Sequence, residues 1–70
     1  MKRETVSSSS LESVGYDAKQ RVLEVEFIHG AVYQYFDVPL AEYESLLNAD
    51  SLGRYFNGNI RGNFDYRQIR

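Results

Sequence analysis

The chain reads as a small α+β domain in which a three-stranded antiparallel β-meander packs against two short helices, and three observations predict it. Residues 22–27 and 32–36 are two runs rich in β-branched and aromatic side chains, hinged at His29-Gly30 and stopped by Pro39. Residues 11–16, Leu-Glu-Ser-Val-Gly-Tyr, have the same strand-like character just upstream. Beyond Pro39 the apolar positions change period, recurring at Leu40, Tyr43, Leu46 and Leu47 as one stripe of a helix.

Taken in chain order, residues 1–9 are polar and serine-rich and are expected to form a flexible N-terminal segment, with one domain spanning 10–70. Asp17-Ala18-Lys19-Gln20 supplies a polar turn between the first strand and the hairpin. A two-residue turn at His29-Gly30 pairs Phe27 with Val32, Glu26 with Tyr33, Glu24 with Tyr35 and Leu23 with Phe36; a four-residue loop keeps that register. Leu23, Val25, Phe27, Val32 and Phe36 then form the core face, and Glu24, Glu26, Tyr33 and Tyr35 share the solvent face. Pro39 presets its φ for a first helical turn, with Glu42 and Glu44 off the apolar stripe. Asp50 or Ser51 serves as N-cap of a second helix carrying Leu52, Tyr55 and Phe56, which Asn57-Gly58 ends. The alternation of Phe64 and Tyr66 allows a short C-terminal edge strand.

Seventy residues, 43% of them hydrophobic, suit a single core. By per-residue scaling the stability is about 4 to 7 kcal/mol, so loss of one buried aromatic ring threatens the fold. The absence of cysteine excludes disulfides, thiolate nucleophiles and sulfur-ligated metals. Residues 1–10 lack the apolar stretch of a signal peptide and no later run could span a membrane, so the expected location is cytoplasmic with no membrane partner. Charge is uneven: four basic and nine acidic residues lie in 1–50, and four arginines with one aspartate in 51–70. Such asymmetry suits either a solvated surface or a basic patch for a polyanion.

No catalytic constellation stands out, and the chain is read as a non-enzyme without cofactor or metal. His29 lacks a positioned partner and reads as a turn residue. Ser7, Ser8, Ser9 and Ser10 have no histidine-carboxylate pair to activate them, and Glu24 and Glu26 read as solvated strand charges. Tyr33 and Tyr35, two residues apart, match the aromatic platforms on which single-stranded bases stack, although carboxylates on the same face would repel phosphates. Residues 57–63, Asn-Gly-Asn-Ile-Arg-Gly-Asn, offer backbone N–H groups and amides that, with Arg54 and Arg61, could hold an anion. The same residues also suit a helix cap followed by a turn.

The order of Val14-Gly15-Tyr16-Asp17, Leu23-Glu24-Val25-Glu26-Phe27, His29-Gly30, Tyr33-Gln34-Tyr35, Val38-Pro39, Ala49-Asp50-Ser51-Leu52-Gly53 and Tyr55-Phe56-Asn57 resembles the KTSC domain. That family takes its name from the C-terminus of some lysyl-tRNA synthetases and also occurs as free-standing small bacterial proteins. The resemblance covers residues 8–66 and implies no established activity. It carries an association with RNA, through the synthetase fusion and the Tyr-x-Tyr motif. On this basis the expected RNA-binding set is Tyr33, Tyr35, Arg54, Asn57, Asn59, Arg61 and Arg67, with tRNA or single-stranded RNA as partner. The alternative is a protein-protein interaction module using the tyrosine face or a strand edge.

Overall fold

The computed structural model describes residues 1–70 as one five-stranded antiparallel sheet with helices on one face. The strands are β1 Glu4–Thr5, β2 Leu11–Asp17, β3 Val22–Phe27, β4 Val32–Tyr35 and β5 Tyr66–Gln68, and they neighbour one another in that order. The expected meander is its centre, and three strands understate it. β1 extends one edge and β5 the other, pairing Tyr35 with Tyr66 and Gln34 with Arg67.

The N-terminal segment read as flexible therefore includes a strand. Its serines have structural duties as well: Ser8 Oγ accepts the N–H groups of Ser10 and Leu11, and the Ser10 carbonyl accepts from Ile28 N–H at 3.1 Å. The chain passes so close to β2 that a Cβ at Gly15 would lie 2.5 Å from the Lys2 carbonyl oxygen, a position only glycine fills without displacing the backbone.

The hairpin register differs from the expected one by a single residue. Phe27 N–H donates to the Ala31 carbonyl and Gly30 N–H to the Phe27 carbonyl, enclosing a three-residue loop in which Gly30 takes φ +101°. Glu26 consequently pairs with Val32, Val25 with Tyr33, Glu24 with Gln34 and Leu23 with Tyr35. A one-residue slip exchanges the faces of a whole strand. Tyr33 and Tyr35 thus join Leu23 and Val25 on the helix-packed face, and Tyr35 is only 4% exposed. Glu24 and Glu26 stay on the opposite face, joined there by Val32, while Phe36 leaves the strand half-buried.

α1, Leu40–Leu47, starts directly after Pro39, which sits at the N-cap with extended ψ. α2, Leu52–Tyr55, is capped by Ser51, whose hydroxyl accepts the Arg54 N–H. Asn57-Gly58 does not end it. The path continues as a π-helical turn, Phe56–Ile60, closed by Arg61 N–H donating to the Phe56 carbonyl at 2.8 Å. The wider turn carries Phe56 and Ile60 into the core beside Leu11, Val14, Leu23, Val25, Val38 and Leu46. Tyr16 stacks on Tyr43 with ring centres 4.9 Å apart, and its hydroxyl donates to the Val38 carbonyl, tying the sheet to α1.

Candidate functional site

An open cleft of about 750 Å³ lies on the helix-packed face, at the end of the sheet that α1 leaves uncovered. β4 and β5 contribute Tyr33, Tyr35 and Tyr66 to its lining, and the hairpin contributes Phe27, Ile28 and His29. Phe56, Asn57, Arg61 and Gly62, from the π-helical turn and the residues after it, also line it, as do Ser9 and Ser10 of the N-terminal segment. The serine segment holds that position because it bridges the hairpin loop and α2: beyond the Ile28 bond, Ser10 Oγ lies 3.1 Å from where a Gly53 Cβ would stand.

The rings form a connected cluster. Phe56 meets Phe27 and Tyr35 edge-on, with centres 5.4 and 5.3 Å apart. Tyr66 lies 5.7 Å from both Tyr33 and Tyr35. His29 is parallel to Phe27 within 6°, at 5.7 Å, and Phe27 meets Tyr33 nearly at right angles. These arrangements hold each ring by contact with another, which leaves the exposed ring surface of Tyr66 (61% exposed) and the half-buried Tyr33 rigidly presented. Tyr33 Oη also donates to Gln68 Oε1 at 3.3 Å.

Arg61 is the only lysine or arginine lining the cleft, and no carboxylate lines it. Burial pushes the Tyr35 phenol above its ordinary value, partly offset by the positive charge of Arg61; the phenol remains a neutral donor at physiological pH. Charge is concentrated on the opposite face. There the Arg3 guanidinium donates to Glu24, and the Ser13 hydroxyl donates to Glu26 at 2.7 Å. Gln34 amide donates to Glu24 at 2.9 Å, and Arg70 pairs with Glu26 at 2.7 Å. The Ser13 hydrogen bond lowers the Glu26 pKa, against some desolvation, with help from Arg3 and Arg70.

Of the residues expected from sequence, the fold brings Tyr33, Tyr35, Asn57 and Arg61 together in the cleft. Tyr35 is part of its floor rather than an open platform. Arg54 is exposed on α2 outside the cleft. Asn59 is used locally, its amide donating to the Tyr55 carbonyl and its backbone carbonyl accepting from Asn63 Nδ2. Arg67 pairs in register with Gln34 and therefore lies on the face turned away from the tyrosines. Sequence reasoning missed Phe27, Phe56 and Tyr66 as cleft residues, since nothing local to them distinguishes a cleft ring from a core ring. His29 was equally hidden, although a histidine beside a loop glycine, two residues after a strand phenylalanine, is a usable signal.

The KTSC domain family matches residues 7–64. The crystal structure of a KTSC domain protein from Yersinia pestis superimposes with a TM-score of 0.93 at 43% identity, covering 99% of this chain and 97% of the other. A Stutzerimonas stutzeri protein described as uncharacterised is 58% identical over 57 residues, 81% of this chain and 80% of its own length. A lysine–tRNA ligase from Trichormus variabilis is 43% identical over 61 residues, which is 87% of this chain but 11% of the ligase.

Proposed function

The chain belongs to the KTSC domain family, and from that premise we propose that it is a non-catalytic binding module that takes single-stranded RNA, including unpaired segments of tRNA, in the aromatic cleft. The observation that carries this reading is the hairpin register. Unpaired bases need accessible ring faces beside a cation, and they tolerate carboxylates poorly. The three-residue loop puts Tyr33 among rings and beside the wall that carries Arg61, with Glu24 and Glu26 behind the sheet and engaged by Arg3 and Arg70. The likeness to a segment of lysine–tRNA ligases adds support for a tRNA-related ligand. In this arrangement Tyr33 and Tyr66 stack bases, Tyr35 fixes their orientation from below, and Arg61 with Asn57 meets phosphate and base edges. A protein-interaction role is the second reading, favoured by the outer edge of β5, whose residues are exposed and have no further strand beside them.

The test is an NMR titration of the labelled domain with mixed-sequence single-stranded RNA at low and physiological salt. Salt-sensitive shifts should cluster at His29, Tyr33, Arg61 and Tyr66, and Tyr66→Ala should cost about 1 to 3 kcal/mol of binding while the fold persists. Absence of shifts at low salt overturns the RNA reading and passes the β5 edge to a search for a peptide partner.

A further inference from the structure

His29 lies on the cleft wall with its ring held parallel to Phe27, and it is the only histidine in the chain. It is exposed and open to a ligand in the cleft. The groups around it favour a conditional role. It shares the cleft lining with the phenols of Tyr33, Tyr35 and Tyr66 on β4 and β5, with Arg61 and Asn57 from the π-helical turn and the residue after it, and with Ser9 and Ser10 of the N-terminal segment. The other charge near its loop is Arg70, whose Nε donates to the Gly30 carbonyl while Nη2 is paired with Glu26. No carboxylate lines the cleft to neutralise a second cation. An imidazole is the one side chain that ordinarily changes charge between about pH 5 and pH 8.

Resting on the RNA reading above, we infer that His29 is a second ligand-contacting residue of the cleft: its ring extends the stacking surface of Phe27, and on protonation it engages a phosphodiester together with Arg61. The chain then holds RNA more tightly, and through one more phosphate contact, in mildly acidic than in mildly basic solution. Of the groups near it, burial raises the Tyr35 pKa and hydrogen bonding from Ser13 lowers the Glu26 pKa, which moves both away from this range. Every other ionisable group is common to the native chain and the variants, so substitution at His29 isolates its own contribution.

The experiment is fluorescence anisotropy with a short labelled mixed-sequence single-stranded RNA, from about pH 5.5 to about pH 8, with salt varied at each end. The proteins are the native chain, His29→Gln and His29→Arg, each checked by circular dichroism. The native chain should bind several-fold more tightly at the acid end, with a salt slope steeper by about 0.7, the value of one additional single-strand phosphate contact. His29→Arg should keep the tight state across the range, and His29→Gln should stay in the weak state. RNA binding that is insensitive to pH in the native chain, or equally pH-sensitive in His29→Gln, overturns the role of His29 and leaves the RNA reading standing. No binding at any pH overturns both.

Discussion

The two faces of the sheet solve burial in opposite ways. On one, Leu23, Val25 and Tyr35 pack against Phe56, Ile60 and Leu46, and the rings left over at the end of the sheet line a cleft. On the other, Glu24 is only 5% exposed although it is a carboxylate, because Arg3 and Gln34 meet its oxygens. The first face gains from apolar area removed from water; the second depends on every polar atom having a partner, and no buried side-chain nitrogen or oxygen lacks one. The polar face also joins distant ends of the chain, since Arg3 and Arg70 both reach Glu26. The comparison teaches that the N-terminal segment is a structural part of the charged face, while the open cleft lies on the aromatic one.

The strongest way to break this division is Phe56→Ala. Phe56 touches both Phe27 and Tyr35, and truncating a buried phenylalanine costs about 3 to 5 kcal/mol, comparable with the whole stability expected for a chain of this length. Thermal and urea melts should show a marginally stable protein whose midpoint lies far below the native one. A cooperative transition close to the native one would mean that the core does not depend on the cleft wall.

Arg3→Ala should have the next largest effect. It leaves Glu24 buried beside Gln34 alone, and because Arg3 is partly exposed the loss should be about 1 to 3 kcal/mol, below the full value for a buried pair. Denaturant unfolding measures it, and Tyr33 and Tyr66 resonances should stay in place if the two faces are independent. Acid should act on the same network through Glu26. Its folded pKa lies below 4.5, so its contribution is present above that value and is lost as pH falls through the lowered one. In melts across that window, Glu26→Gln should flatten the acid-side decline. The smallest effect belongs to Arg70→Ala: the exposed pair with Glu26 contributes little, and less as salt rises, so its melt should nearly overlay the native one.

Much of the fold was legible in residue pattern. The central strands, the position of the hairpin turn, the start of α1 after Pro39 and the Ser51 cap all follow from local chemistry. The exceptions are instructive. β1 has just two residues, Glu4–Thr5, without apolar alternation, and becomes a strand because Arg3 anchors it and Gly15 lets it approach. Gly58 looked like a helix end, yet the helical path passes through it because Phe56 and Ile60 both gain burial from the π-turn. Of the expected site, Tyr33, Tyr35, Asn57 and Arg61 line one cleft, whereas Arg67 falls on the other face by the parity of its pairing with Gln34.

The sequence by itself determined which segments extend, where they turn and where helices begin, because those choices rest on neighbouring residues: β-branched runs, a glycine, a proline and a serine cap. Tertiary structure alone decided which way β4 faces. The pattern pointed to a loop of two or four residues at His29-Gly30, which share one parity, whereas the three-residue loop that forms has the other. The three-residue loop prevails because it buries Tyr35 against Phe56 and leaves Glu24 and Glu26 opposite the arginines from both ends of the chain, a gain summed over contacts far apart in sequence.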